Sequence, residues 1–277
     1  MLSLHTNAAA LSAQNAISKT QSNLSTSMTR LSTGYRINSA MDDAAGLQIA
    51  SRLKAQSSGM SVAMRNTQNA TALMQTAEGA LDEVSNIVVR MKDLATQAAD
   101  TGSTAKDKTA MNAEFVELGK ELTNIMSNTS FGGAKLLTGG TIATAMKFQI
   151  GADALEVMDV DLSTEMTDVG GAVTAILGEE LTTGADATAA ITTLTDAIDT
   201  VGTLRSALGA SANRLEHVNN NLANISTNTK QATGLIMDVD FASESANMTS
   251  SQMLMQASTA MLKQSNSMSS MVMSLLQ

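Results

Sequence analysis

The most constraining feature of this sequence is a long apolar repeat in its first half. Counting alternately four and three residues from Ile49 to Ala98, nearly every position is Ile, Leu, Val, Met or Ala, and only Gln56 and Thr67 interrupt the pattern. The chain contains no proline, so no proline breaks a helix here. A helix of about 50 residues would be about 75 Å long at ~1.5 Å per residue. A compact domain cannot bury such a stripe from end to end, so a second long helix must cover it.

A matching repeat in the second half of the chain supplies that partner. From Ala197 to Ile225 the same alternation of four and three residues is apolar, interrupted only by Ser211. The two repeats predict a mainly α-helical protein built as a long antiparallel rod or coiled coil. The predicted rod core consists of Ile49, Leu53, Met60, Met74, Leu81, Val84, Val88, Leu204, Leu208, Leu215 and Leu222.

Both ends of the chain also carry helical apolar repeats. In the last helix, a second stripe through Met248, Met255 and Leu262 lies beside the main one and makes the apolar face unusually wide. Such a face does not stay in water, so it must pair with the N-terminal helix, with neighbouring copies, or with both. The predicted seam comprises Leu4, Leu11, Ile17, Leu24, Leu31, Leu254, Met261, Met268, Met271 and Leu275.

The middle of the chain changes character. Residues 146–150 and 158–162 alternate between apolar and polar side chains around a short turn, which predicts a small β-hairpin. Residues 164–187 are rich in Gly, Thr and acidic side chains, and we expect them to form a surface loop or a further small hairpin. Helical periodicity returns at Leu194. The apolar repeat is weaker at residues 227–240, which predicts a bend before the last helix.

Composition narrows the classes of function. The net charge of −9 disfavours binding to nucleic acid or to an anionic membrane, and no apolar run is long enough for a membrane span. Without cysteine there is no disulfide framework and no thiol nucleophile. The two histidines, His5 and His217, are far apart and outside any metal-ligand spacing. We therefore expect no catalytic residues, no metal and no cofactor, and no signal peptide is visible.

Several longer motifs carry a family resemblance. They are the segment TRLSTGYRINSAMDDAAGLQIA at residues 29–50, FGGAKLL at 131–137, KFQIGA at 147–152, NNLANI at 220–225 and DVDFA at 238–242. In this order and spacing they closely resemble bacterial flagellins, in a short form with a minimal variable region that is similar to lateral or minor flagellins. Tyr35 and Met41 depart from the family pattern, which usually has a small or aliphatic residue and a lysine there.

The resemblance implies a structural subunit that polymerises with itself into the extracellular flagellar filament for motility. Residues 1–40 with 237–277 would form an inner terminal coiled coil. Residues 41–142 with 188–236 would form the helical rod, and 143–187 its β-hairpin and short variable loop. Flagellins are exported unfolded through the flagellar type III apparatus, which would reconcile a secreted product with the missing signal peptide.

Further partners also follow from the resemblance rather than from the residues themselves. They are an export chaperone, the filament cap, the hook–filament junction proteins and host innate receptors. Residues Arg90, Leu94 and Gln97, with Glu114 nearby, match the helix face that a vertebrate receptor recognises, although packing against a neighbouring subunit is the simpler role. The stretch that plant receptors recognise would include Thr29, Arg36, Asn38, Asp43 and Gly46.

Three other classes of protein remain open at this point. A hook-associated junction protein would share the end helices but usually carries substantial extra domains. A cytoplasmic helical hairpin of the chemoreceptor type would need strict heptads and a tight helical tip, and the β pattern at 146–162 disfavours it. An enzyme is the least favoured of the three, since no cluster of catalytic residue types is visible.

Overall fold

The computed structural model describes residues 7–275, with side chains as far as residue 268. This part of the chain contains six α-helices: α1 (Ala8–Thr33), α2 (Ala44–Ala99), α3 (Ala105–Asn128), α4 (Ser163–Leu177), α5 (Gly184–Met237) and α6 (Phe241–Leu275). Two antiparallel hairpins lie between α3 and α4, formed by β1 (Ser130–Phe131) with β2 (Ala134–Lys135) and by β3 (Met146–Gln149) with β4 (Val157–Val160). The prediction of a mainly α fold with a small β-hairpin region is confirmed.

The chain divides into two compact units. One spans residues 57–226 and contains most of α2 and α5 together with α3, α4 and both hairpins. The other consists of the described residues up to Gln56 and from Thr227 onward, and it contains α1 and α6.

The long helices form the core of the unit 57–226. Asn219 donates its side-chain N–H to the carbonyl of Met64 at 3.2 Å, and Arg205 pairs with Asp82 at 2.8 Å, which fixes α2 and α5 as antiparallel neighbours. Thr67, which interrupts the sequence repeat, is buried with its hydroxyl bonded to the carbonyl of Ala63. The predicted core positions are confirmed as buried at Met60, Met74, Leu81, Val84, Val88, Leu204, Leu208, Leu215 and Leu222.

The predicted stripe is wrong where α2 begins. Ile49 is 43% exposed and Leu53 is only half-buried, whereas Ala50 and Ser57 are buried. Residues up to Gln56 belong to the other compact unit, so a different set of neighbours decides which face of the helix is buried there, and the stripe counted back from Met60 misses that face by one residue. The same shift occurs late in α5, where Ser226 is buried and Ile225 is 38% exposed.

The region after α3 folds around two glycines. Phe131 closes a hairpin in which Gly132 and Gly133 have φ values of 60° and 87°. Two consecutive residues with positive φ are what the tight turn of a two-residue hairpin requires. The turn brings Leu136 and Leu137 into the core, where both are fully buried.

The second hairpin confirms the sequence pattern. Strands β3 and β4 pair Met146 with Val160 and Phe148 with Met158. A Cβ on Gly59 of α2 would lie 2.7 Å from the Cβ of Ala152 in the turn. The hairpin turn therefore approaches α2 so closely that only a glycine leaves room for it.

Residues 164–187 correct the expectation of a loop or further hairpin. Most of them form α4, which buries Met166, Val169, Val173 and Ile176 against the core. The glycine pair Gly170–Gly171 in the middle of α4 conceals this periodicity, because glycine is a poor helix former.

Helix α5 also begins earlier and ends later than expected. It starts at Gly184, ten residues before Leu194, since Thr183 and Asp186 exchange side-chain to backbone hydrogen bonds and so cap its first turn. It continues through residues 227–237, where the apolar repeat is weaker, and ends only at Met237. The bend predicted within residues 227–240 therefore lies at the end of that range, at 238–240.

Acid should destabilise the helix starts in the unit 57–226. Hydrogen bonds from Thr104 and Thr183 hydroxyls hold the pKa of Asp107 and of Asp186 below the usual 3.8. Carboxylates with a lowered pKa stabilise the fold above their unfolded-state value, and this contribution disappears as the pH falls through the folded-state value. The melting temperature of each protein is measured by circular dichroism at about pH 6 and at about pH 2.5. We expect it to fall less between these two pH values in the Asp107→Asn/Asp186→Asn chain than in the unsubstituted chain. Equal losses in both proteins would contradict this role.

Candidate functional site

The terminal helices α1 and α6 lie side by side and antiparallel. The side chain of Asn7 bonds to the Ser265 hydroxyl at 3.1 Å near one end of the pair. Ser27 donates its hydroxyl hydrogen to Glu244 at 2.5 Å near the other end. Helix α1 ends at Thr33 because Gly34 adopts a left-handed conformation with φ 76°. The chain therefore bends directly after α1.

A short bridge joins the segments that follow α1 and precede α6. Tyr35 pairs with Asp238, and the guanidinium of Arg36 donates to the carbonyl of Ile236 at 2.9 Å. Asp240 accepts hydrogen bonds from the backbone N–H of Ala242 and from the hydroxyl of Ser243, which caps the start of α6. These bonds, the Ser243 hydroxyl first, lower the pKa of Asp240 from 3.8.

The inner faces of α1 and α6 are half-buried. On α6 this face is the second apolar stripe, which runs through Met248, Met255 and Leu262. The half-buried positions of α1 are Ala10, Ala13, Ile17, Thr20, Leu24, Arg30 and Leu31. The pairing of the last helix with the N-terminal helix, one of the two arrangements that the wide apolar face allowed, is thus present within a single chain.

The main stripe of α6 faces away from α1. The exposed fractions of Leu254, Met261 and Met268 are 55%, 66% and 52%. Leu11 and Met28 on α1 are likewise more than half exposed. The predicted seam is therefore divided: Ile17, Leu24 and Leu31 face α6, and Leu11, Leu254, Met261 and Met268 face outward. Leu4 and the side chains of Met271 and Leu275 lie outside the described residues.

The most deeply buried point of the pair is polar. Ser27 is the buried residue of α1, and Glu244 is the buried residue among the described side chains of α6. Arg30 approaches the Glu244 carboxylate at 3.7 Å. Sequence reasoning missed this cluster because it followed apolar positions only. The available signal was that Glu244 lies in the same four-and-three spacing as Met248, Ser251 and Met255.

Two kinds of feature are absent from the described part of the chain. Between residues 7 and 268, no group of three or more His, Asp or Glu side chains is placed to hold a metal ion. None of the helices in the described range combines the length and apolarity that a membrane span requires.

Comparison with known proteins matches both ends of the chain to one family. The model of the bacterial flagellin N-terminal helical region matches residues 4–141, and that of the C-terminal helical region matches residues 191–276. The chain belongs to the bacterial flagellin family. It is accordingly a structural subunit that assembles with its own kind into the extracellular flagellar filament used for motility.

Individual relatives agree with this assignment. A flagellin of Halalkalibacterium halodurans is 42% identical over 250 residues, which are 90% of each chain, so the two are of about the same length. The crystal structure of Bacillus cereus flagellin is 33% identical, covers 57% of this chain and 88% of that one, and has a TM-score of 0.50. A putative flagellar hook-associated protein of Vibrio parahaemolyticus has a TM-score of 0.56 over 71% of this chain and 99% of that one, and at 16% identity it shares the fold alone.

The residues of the receptor-like face lie on α2 and α3. Arg90 on α2 contacts Glu114 on α3 through two hydrogen bonds of 2.6 and 3.1 Å, and both side chains are about half exposed. Gln97 is exposed on the same helix. The prediction is wrong for Leu94, which is 3% exposed, because the core-facing stripe at this level of α2 is wide enough to include both Leu94 and Ala95.

The segment that resembles the plant-receptor epitope has local structural roles. Asn38 bonds to the carbonyl of Tyr35, and Asp43 caps α2 by accepting from the N–H of Gly46 at 2.8 Å. Gly46 is buried, and a Cβ there would lie 2.9 Å from Ile37. Thr29, Arg36 and Asn38 are exposed, so the surface of this segment is formed by residues other than Gly46.

Proposed function

We propose that α1 and α6 act together as the polymerisation element of this flagellin. Helix α1 covers one apolar stripe of α6, and the outward stripe of Leu254, Met261 and Met268 contacts neighbouring subunits. The observation that supports this proposal is that large apolar side chains at seven-residue spacing stay exposed in a chain of a family that assembles with itself. In this proposal, residues 1–40 with 237–277 form the inner layer of the filament, and 41–236 form the surrounding layer.

The substitution Leu254→Ala tests this proposal. Leu254 is 55% exposed, so about half of the apolar area of a leucine would become buried on assembly, worth roughly 1–1.5 kcal/mol. The concentration of monomer left at equilibrium with filaments should rise about tenfold. It is measured by sedimentation after growth from sheared filament seeds, with filaments viewed by negative-stain electron microscopy.

A matched control is available in the other unit. Leu155 lies in the turn of the β3–β4 hairpin and is 89% exposed. Leu155→Ala makes the same chemical change at an exposed site, and we expect it to leave the residual monomer concentration unchanged. If Leu254→Ala behaved like this control, the outward face of α6 would not be the polymerisation surface.

Other partners are proposed on family grounds. We propose export through the flagellar type III apparatus with an export chaperone, and contacts with the filament cap and the hook–filament junction proteins. The match of both family models supports this set. The exposed stripe on α6 also gives such partners an apolar surface to bind before or beside a neighbouring subunit.

Recognition by host innate receptors is a secondary proposal. Arg90, Gln97 and Glu114 support it, since they form one accessible polar surface across α2 and α3. Leu94 lies beneath this surface and would act only by packing. For plant receptors, the exposed Thr29, Arg36 and Asn38 would carry the contacts, while Asp43 and Gly46 hold the segment in shape.

A further inference from the structure

The apolar faces of α1 and α6 do not by themselves define how the two helices align. Ile17, Leu24 and Leu31 recur every seven residues on α1, as do Met248, Met255 and Leu262 on α6. A slip of α6 by seven residues in either direction would again give Ile17 an apolar partner, Leu262 or Met248. Leu24 would likewise meet Met255 or Phe241. Besides the Tyr35–Asp238 bridge at one end of the pair, a contact within the pair must therefore select the observed register.

We propose that Glu244, held by Ser27 and Arg30, sets the register of the α1–α6 pair. Glu244 is the buried ionisable side chain of the described chain, at 7% exposure. Its carboxylate accepts the Ser27 hydroxyl hydrogen at 2.5 Å and lies 3.7 Å from the Arg30 guanidinium. A buried charge without such partners is strongly destabilising, so any register that separates Glu244 from them is disfavoured.

Both neighbouring registers do separate them. A slip of one heptad in one direction places Glu244 opposite Thr20 and Asn23, which offer a hydroxyl and an amide but no cation. A slip in the other direction places it opposite Gly34, which has no side-chain donor. A single polar layer in an otherwise apolar helix pair is known to select register in this way.

The surroundings of Glu244 are polar across the width of the pair. A cleft of about 360 Å³ lies between the helices at this level, lined by Asn23, Thr26, Arg30, Asn247, Ser250 and Ser251 besides the central pair. Apolar packing at this level therefore cannot substitute for the ionic contact. The inference deepens the proposed function, in which α1 and α6 assemble as a pair, and rests on it only for the filament readout below.

Paired cysteines can report the register, because the chain has no cysteine of its own. Asn7→Cys/Ser265→Cys joins two residues in contact in the observed register. Asn7→Cys/Ser258→Cys joins positions that meet only after a slip of one heptad. Neither pair keeps the Asn7–Ser265 hydrogen bond, so the comparison isolates the contribution of Glu244.

The full-length chain is oxidised with glutathione disulfide, and intramolecular cross-linking is measured by gel mobility. With Glu244 present, the 7–265 pair should form at least about tenfold more product than the 7–258 pair, the scale that a hydrogen bond to a charged group supports. In a Ser27→Ala/Glu244→Leu background the ratio of the two yields should fall at least about threefold. Arg30→Gln should lower the ratio in part, since it removes the cation and keeps the hydroxyl bond.

A matched control makes the same changes on outward faces. Ser22→Ala/Gln252→Leu alters two exposed residues of α1 and α6 and should leave the ratio of the two yields as it was. Helical content by circular dichroism shows that each variant still forms the pair. A Ser27→Ala/Glu244→Leu chain that keeps its helices and still cross-links only through 7–265 would overturn the inference.

Filament growth provides a separate readout. A mixture of registers should slow elongation from seeds severalfold in the Ser27→Ala/Glu244→Leu chain. If the unsubstituted chain itself failed to elongate, the proposed function would fall, while the cross-linking result would still decide the question of register.

Discussion

Replacing Met261 and Met268 by glutamate should stop filament growth from seeds altogether. The two thioethers lie seven residues apart on the outward face of α6 and are 66% and 52% exposed. Two carboxylates at these positions would have to be buried without a partner on assembly, at a cost of at least several kcal/mol. The residual monomer concentration should rise more than about hundredfold, which leaves no filaments at accessible concentrations.

The isolated chain should tolerate the same change. Both side chains already contact water in the single chain, so helical content and thermal unfolding should stay close to those of the unsubstituted protein. Leu155→Glu/Thr192→Glu adds the same two charges at exposed sites of the other unit and controls for general repulsion in an acidic protein. Filaments formed by the Met261→Glu/Met268→Glu chain would show that this face is free in the polymer.

Replacing Phe115 by alanine should produce the largest loss of stability from one substitution. Phe115 is 2% exposed and is one of only four phenylalanines in a chain without tryptophan. It packs in the core that joins α2, α3, α4 and α5. Truncating a buried phenylalanine lowers the free energy of unfolding by about 3–5 kcal/mol, a large part of the roughly 5–15 kcal/mol that holds a typical domain together.

Denaturant unfolding of the full chain, followed by circular dichroism, measures this effect. The next residue in α3, Val116, is 43% exposed, and Val116→Ala should change the unfolding free energy by less than about 1 kcal/mol. Similar losses for the two substitutions would mean that Phe115 is not an anchor of this core.

The strongest sequence signals corresponded to the parts of the fold that are buried on one face only. From Met60 to Ala98 the repeat in α2 predicts the buried positions, because two antiparallel helices keep one stripe in contact over that whole length. The alternation of apolar and polar residues in β3 and β4 predicts these strands equally directly, because side chains along a strand buried on one face point alternately to the core and to solvent. Both signals depend on local geometry and need no knowledge of distant residues.

The errors arose where tertiary context decides between neighbouring positions. Ile49 is more hydrophobic than Ala50, but the packing in the unit that contains both residues buries Ala50 and leaves Ile49 exposed. In α4, Gly170 and Gly171 weaken the local helical signal. The helix is stabilised instead by the burial of Val169 and Val173 in the core. The Ser27–Glu244 contact joins residues 217 positions apart, and no local pattern reveals such a pair.

The antiparallel pairing of α1 with α6 determines when during synthesis the pair can form. Asn7 and Ser265 are 258 residues apart, so α1 is synthesised long before any partner for it exists. Bringing such distant segments together is not prohibitive, because each doubling of loop length costs only about 0.6 kcal/mol. A chain that ends before α6, however, lacks the helix with which α1 pairs. If α1 and α6 polymerise as a pair, as proposed, a chain that ends before α6 cannot add to the filament.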